Sequence, residues 1–267
     1  MTAGFREVVG NGVRTVRRSM LWWSVGVVGF VVVNLAFWPS LEGSDALAAF
    51  GDMDKLLEAF GAQNIATPSG YVDGQLFALL VPLLFSAMAI TVVSGLTAGD
   101  ENAGRLELVH ALPIGRRSVW LGRWASSMMM LAMVSLIGAI ATIACLPVFS
   151  LTEVSVGRIV GAVVGCALLA AFHGSVSYAV AGAGGSRGLS AGIGILVLVA
   201  GYLAAFVLPI SASLSGARQW SPWYWAIGDQ PVSNGVDPAW MLLVAAITIV
   251  LVAVGTQAVD RRDIHTA

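Results

Sequence analysis

Charge is scarce in this sequence. Of its 267 residues, 11% are Asp, Glu, Lys or Arg, against roughly 25% in ordinary soluble domains. Hydrophobic residues make up 57%, and mean hydropathy is +0.84. A soluble domain of this length would run out of polar side chains before its surface was covered. A soluble enzyme is therefore excluded. The class that remains is an all-α polytopic membrane protein, in which lipid replaces the polar shell and each helix satisfies its own backbone.

Other shortages narrow the chemistry. Cys145 and Cys166 both lie in apolar runs, so they supply neither a disulfide framework nor a metal site. Lys55 is the only lysine. A phosphate-binding loop needs Gly-Lys-Ser/Thr, in which backbone N–H groups and the ammonium hold the phosphates. No such tripeptide is present, so any ATP must be bound by another chain. A net charge of −1 provides no basic field for nucleic acid.

What is present is a set of apolar runs. Each crossing needs about 20 residues at 1.5 Å rise. Six are found, at 20–38, 75–97, 124–148, 159–183, 189–209 and 239–259, and they make residues 1–267 a single transmembrane domain. Only AGGSR separates the fourth from the fifth, which predicts a tight turn. The first run continues into Phe37-Trp38, unlike a cleaved signal. With both termini cytoplasmic, eleven basic residues fall inside and three, Lys55, Arg158 and Arg218, fall outside. The nine tryptophans lie near span ends, as an interfacial aromatic belt requires. Gly157, Gly161 and Gly165 form a small-residue row that allows close helix approach, either within the chain or between copies, and Gly188 and Gly192 do the same for the fifth span.

The spans hold almost no ionisable groups. His173 is the main exception, and Asn34, Gln75 and Gln257 are polar. Asn34, Gln75 and His173 are the candidates for lining a path, and His173 also reads as an interhelical hydrogen-bonding residue. Carriers coupled to protons or sodium need intramembrane carboxylates, and none sits at a span centre. An intramembrane protease would need a nucleophile with a base, or a paired metal site. His173 has no carboxylate or second histidine near it in sequence, so no catalytic or metal site is assigned.

Three segments outside the spans carry pattern. In 3–18, Phe5, Val8, Val9, Val13 and Val16 alternate with Arg6, Arg14, Arg17 and Arg18 at helical spacing. This predicts an amphipathic helix lying on the anionic inner leaflet. Residues 42–63 predict a short outer helix. Residues 211–238 form an outer loop, punctuated by Pro222, Gly228, Pro231, Gly235 and Pro238, that caps the outer face. The cytoplasmic segment 98–124, AGDENAGRLELVHALPIGRRSVWLGRW, is the most informative. Asp100-Glu101-Asn102 read as the N-terminal acids of a helix, Leu106, Val109 and Leu112 follow at helical spacing, and Pro113 stops it before Gly115 and Arg116-Arg117.

The run Glu101, Gly104, Arg105-Leu106-Glu107-Leu108, Ala111-Leu112-Pro113-Ile114, Arg116-Arg117 resembles the loop between the second and third spans of ABC transporter permeases of the type-2 exporter class. The outer stretch SPWYWAIGDQPVSNGVD is similar to a Pro-aromatic stretch in actinobacterial members, antibiotic exporters among them. The resemblance implies that 98–112 is a coupling helix within a 98–117 loop, with Glu101, Gly104, Arg105, Glu107, His110, Pro113, Arg116 and Arg117 as its ATPase-coupling residues. It implies that 3–18 is a connecting helix. It also implies two permease halves, identical or homologous, served by two ABC ATPase subunits that bind the ATP and Mg, with no cofactor in this chain. The setting would be the bacterial cytoplasmic membrane. Two departures are visible: this chain holds one six-span half, and Arg105 stands where the family often has Thr. The uncharged walls suit an amphiphilic or hydrophobic substrate. The alternatives are a non-transporting scaffold or sensor subunit that recruits a cytoplasmic partner, and an ion-coupled carrier.

Overall fold

The structure is a computed structural model that describes residues 3–42, 65–104 and 114–262. The described residues form helices and turns with no strand. Six helices are long and apolar enough to cross a membrane, so the chain is an all-α, multi-pass membrane protein. The main helices are α1 (Ala3–Ala36), α2 (Leu80–Ser94), α3 (Arg116–Val148), α4 (Val156–Gly182), α5 (Arg187–Tyr202) and α6 (Pro238–Arg261). The second span runs from Pro68 to Asn102, with α2 at its centre.

Local chemistry sets the helix starts. Thr67, Ser221 and Asp237 each precede a proline, and each side chain accepts a backbone N–H of the first turn. Proline loses nothing there, because its missing N–H would have had no helical partner. Ser186 caps α5 in the same way after the AGGSR turn, accepting from the Leu189 N–H at 3.3 Å.

The second and fourth spans form the centre. In each, 67% of the apolar window is buried within the chain, against 17% for the first span. Helix α4 packs on the second span, α3, α5 and α6, while α1 packs chiefly along α3. Close approach depends on glycine. A Cβ on Gly182 would collide with the Gly255 backbone, and one on Gly255 would come within 2.8 Å of the Tyr178 ring. Gly182→Val is expected to pry α6 from α4 and cost about 1–3 kcal/mol, read as a lower unfolding temperature of the detergent-solubilised chain.

Several sequence expectations need correction. The segment 3–18 is helical, but it is not a separate element. It is the first half of α1, which runs unbroken for 34 residues. Packing explains this: Ile114 lies against Gly4, Val8 against Gly122, and Gly12 against Ser126, so the segment is zipped to the inner end of α3. Trp22 and Trp220 are exposed, but Trp38, Trp120 and Trp223 are buried and fill the ends of the core, so those three do not form an aromatic belt. The small-residue row on α4 serves the chain itself, with Gly161 against Val236 and Gly165 against the Ala226 carbonyl. Gly188 and Gly192 approach nothing, and it is Gly194 that packs closely, against Ser177 and Ile90. The expected outer helix at 42–63 lies outside the described residues but for its first.

Candidate functional site

The candidate site is the inner root of the loop between the second and third spans. The second span ends in a π-helical turn, Gly95–Gly99, and one α turn, Asp100–Asn102. The acids therefore close the second span and do not open a new helix. This corrects the N-cap reading of Asp100-Glu101-Asn102. Acids at a helix C-terminus oppose the dipole, so they need cations, and the structure supplies them.

Asp100 pairs with Arg123 of α3, which also donates to the Leu96 carbonyl in the π turn. Both side chains are buried. Glu101 pairs with Arg262, just beyond α6. The Arg262 guanidinium donates to the Ala181 carbonyl of α4 at 3.2 Å and lies 5.9 Å from the centre of the Trp120 ring. Arg117 pairs with Asp260, and Arg116 donates to the Arg262 carbonyl at 3.2 Å. Arg116 and Arg117 open α3, where basic groups oppose the dipole in their turn. Each unfavourable end charge is thus matched on a neighbouring helix, and the inner ends of spans two, three, four and six form one clamp.

Gly104 leaves the clamp with φ of 68°, its N–H bonded to the Glu101 carbonyl at 2.9 Å. A side chain is disfavoured in that conformation. Gly104→Ala is expected to cost about 1 kcal/mol and to loosen the chain's exit into the loop, read as faster proteolysis between 101 and 117. Of the coupling residues expected from sequence, Glu101, Gly104, Arg116 and Arg117 gather here. Arg105, Glu107, His110 and Pro113 lie outside the described residues, as does most of the expected 98–112 helix.

The three path candidates are not brought together. The Asn34 side chain donates to the Phe30 carbonyl at 2.8 Å, and the Asn34 carbonyl accepts from Tyr71 at 2.7 Å, so this residue pins the first span to the start of the second. Gln75 is half-buried in another π turn, Asp73–Phe77. His173 is fully buried in α4, with Nδ1 3.0 Å from Ser86 Oγ. Its Nε2, with the hydroxyls of Ser24, Ser135 and Ser177, is buried and has no partner among the described residues. Polar atoms left so in an apolar interior each cost about 1–3 kcal/mol.

Sequence reasoning missed the opposite end. Asp73 is fully buried and accepts from Val232 N at 2.7 Å, Ser233 N at 2.8 Å and Ser233 Oγ at 2.7 Å. Arg158 of α4 donates to the carbonyls of Val232 and Ser233. The segment before α6 is thus clasped between spans two and four. Arg218 pairs with Asp229 at 2.8 Å and lies 4.7 Å from the centre of the Tyr224 ring. The outer segment 211–238 is therefore a folded cap, with Trp223, Ala226 and Ile227 buried. A lone acid at the mouth of an apolar run was the available signal for Asp73. For Arg123, it was a charge followed at once by the apolar pattern of the third span.

Six apolar helices, tied by charge at one end and capped at the other, define a membrane-embedded component. A family model for ABC-2 family transporter proteins matches residues 7–219. The chain belongs to that family and is a membrane permease component of an ABC transporter. Such permeases generally work with an ATPase subunit. No curated protein matches the chain.

Proposed function

We propose that the chain is one half of an ATP-driven exporter in a bacterial cytoplasmic membrane. It pairs with a second half, the same or homologous, and moves an amphiphilic or hydrophobic substrate. Two separate ABC ATPase subunits bind the ATP and Mg and grip the loop around Arg105, Glu107 and His110.

The observation that carries this reading is the clamp. The loop 105–113 joins two helix ends that are ion-paired to each other and to the end of α6. A push on the loop is then delivered to four spans together. ATP binding can shift the spans only if the ATPase dimer holds the two permease arrangements with different affinity. The buried polar atoms of His173, Ser177 and Ser135 give those spans a polar face to expose when they move.

The test is co-purification of the chain with the ATPase encoded beside it. Arg105→Glu with Glu107→Arg is expected to abolish both the complex and any stimulation of hydrolysis, with the unfolding temperature of the permease alone unchanged. A complex that survives with full stimulation rejects the loop as the handle. If the neighbouring gene encodes a kinase or an assembly factor that binds the loop instead, the scaffold reading replaces the exporter.

A further inference from the structure

The N-terminal half of α1 carries two adjoining shallow grooves. One is walled by Arg6, Glu7, Asn11 and Arg14. The other is apolar, floored by Phe5, Val9, Val13 and Met129 of α3, and shares Arg6, Gly10 and Arg14 with the first. Gly10 meets nothing, so the shared wall is low. None of Arg6, Arg14, Arg17 and Arg18 has an ion-pair partner among the described residues.

Depth gives these grooves their meaning. Helices α1 and α3 start from the same side, and Ser126 Oγ donates to the Val9 carbonyl at 3.1 Å. Met129 follows one turn later, level with the turn of α1 that holds Val13 and Arg14. Met129 also opens an exposed apolar row on α3, continued by Met133, Leu136 and Ile140. Arg14 therefore stands beside the first turns of the third apolar run, and Arg6 lies about two turns nearer the inner end. Charge at that depth calls for a counter-charge that brings its own apolar tail.

We propose that the paired grooves seat one anionic phospholipid of the inner leaflet. Its phosphate lies between Arg6 and Arg14, with Asn11 donating. An acyl chain lies over Val9, Val13 and Met129 and continues along the row towards Met133. Glu7, the acid on the polar wall, disfavours a bare anion and accepts from a headgroup hydroxyl, which points to a glycerol headgroup. An acidic protein surface would satisfy the arginines, but it would leave unexplained an apolar groove that runs on into the lipid-facing row.

The experiment is native mass spectrometry of the full chain in detergent, supplied with an equimolar mixture of phosphatidylglycerol and phosphatidylcholine. The wild type is expected to retain one phosphatidylglycerol preferentially. Arg6→Gln with Arg14→Gln is expected to lose that preference by about five-fold per arginine, whereas Arg261→Gln, an inner-end arginine outside the grooves, keeps it. Should the double variant fail to fold, Asn11→Asp, which repels the phosphate, carries the test with the same expected loss. Equal retention of both lipids by the wild type overturns the site. So does an equal loss in Arg261→Gln, which would mean a general basic field. Displacement of the lipid by inorganic phosphate at matched concentration would show that the apolar groove is unused, and displacement by the ATPase subunit would make this face a protein contact. Either result rejects the proposal.

Discussion

Arg123→Met is expected to destabilise the chain by about 3–5 kcal/mol, because it removes the cation paired with the buried Asp100 carboxylate. Asp100 sits at the C-terminal end of the second span, where the helix dipole already disfavours an anion. Arg123 is its cation and also satisfies the Leu96 carbonyl in the π turn. Removing the arginine takes a donor from both the Asp100 carboxylate and the Leu96 carbonyl. Asp100→Leu combined with Arg123→Met removes both charges and is expected to recover most of the loss, since a buried pair is worth little more than packed apolar groups. The measurement is thermal unfolding of the detergent-solubilised protein, single against double variant. Equal loss in both would show that the pair is not the unit of stability there.

The second large effect is at the outer end. Asp73→Ala is expected to cost about 3 kcal/mol, since bonds to a charged acceptor are worth about 1.5–3 kcal/mol each and do not add fully. Ser233→Ala removes one of the three bonds and is expected to cost about 1.5 kcal/mol, the low end for one bond to a charged acceptor. The difference reads out locally. In Asp73→Ala the segment 229–237 loses its hold on the second span and becomes a site of proteolysis from the outer side. In Ser233→Ala both backbone bonds remain, and the segment stays protected. If cleavage rates in the two variants match, the carboxylate is not what holds the cap.

The sequence made some of this legible and hid the rest for physical reasons. Spans were legible because apolar runs of the required length are a local property. So were the starts of the short helices and of α6, where Thr67-Pro68, Ser221-Pro222 and Asp237-Pro238 announce themselves. The continuity of α1 was hidden. Its basic face suits a membrane surface, and only the fit of Val8 to Gly122 and of Gly12 to Ser126 makes it an extension of the first span. The clamp was half visible: Glu101, Arg116 and Arg117 stood out by resemblance, but Arg262 lies more than 160 residues from Glu101, and no spacing rule reaches that far. The π turns were invisible, since nothing in the apolar pattern sets them apart from the α-helix around them. Asp73 stands as a lone acid at the mouth of an apolar run, but its partners Val232 and Ser233 lie 159 and 160 residues away.

The central claim is that the loop is gripped by a motor elsewhere and that the clamp carries its movement into the spans. The direct test breaks the clamp and spares the loop. Glu101→Gln with Arg262→Gln would be reconstituted with the ATPase subunit in liposomes, and both complex formation and permease-stimulated ATP hydrolysis would be measured. The account predicts an intact complex whose hydrolysis no longer responds to the permease. Full stimulation in the clamp-broken complex would contradict it.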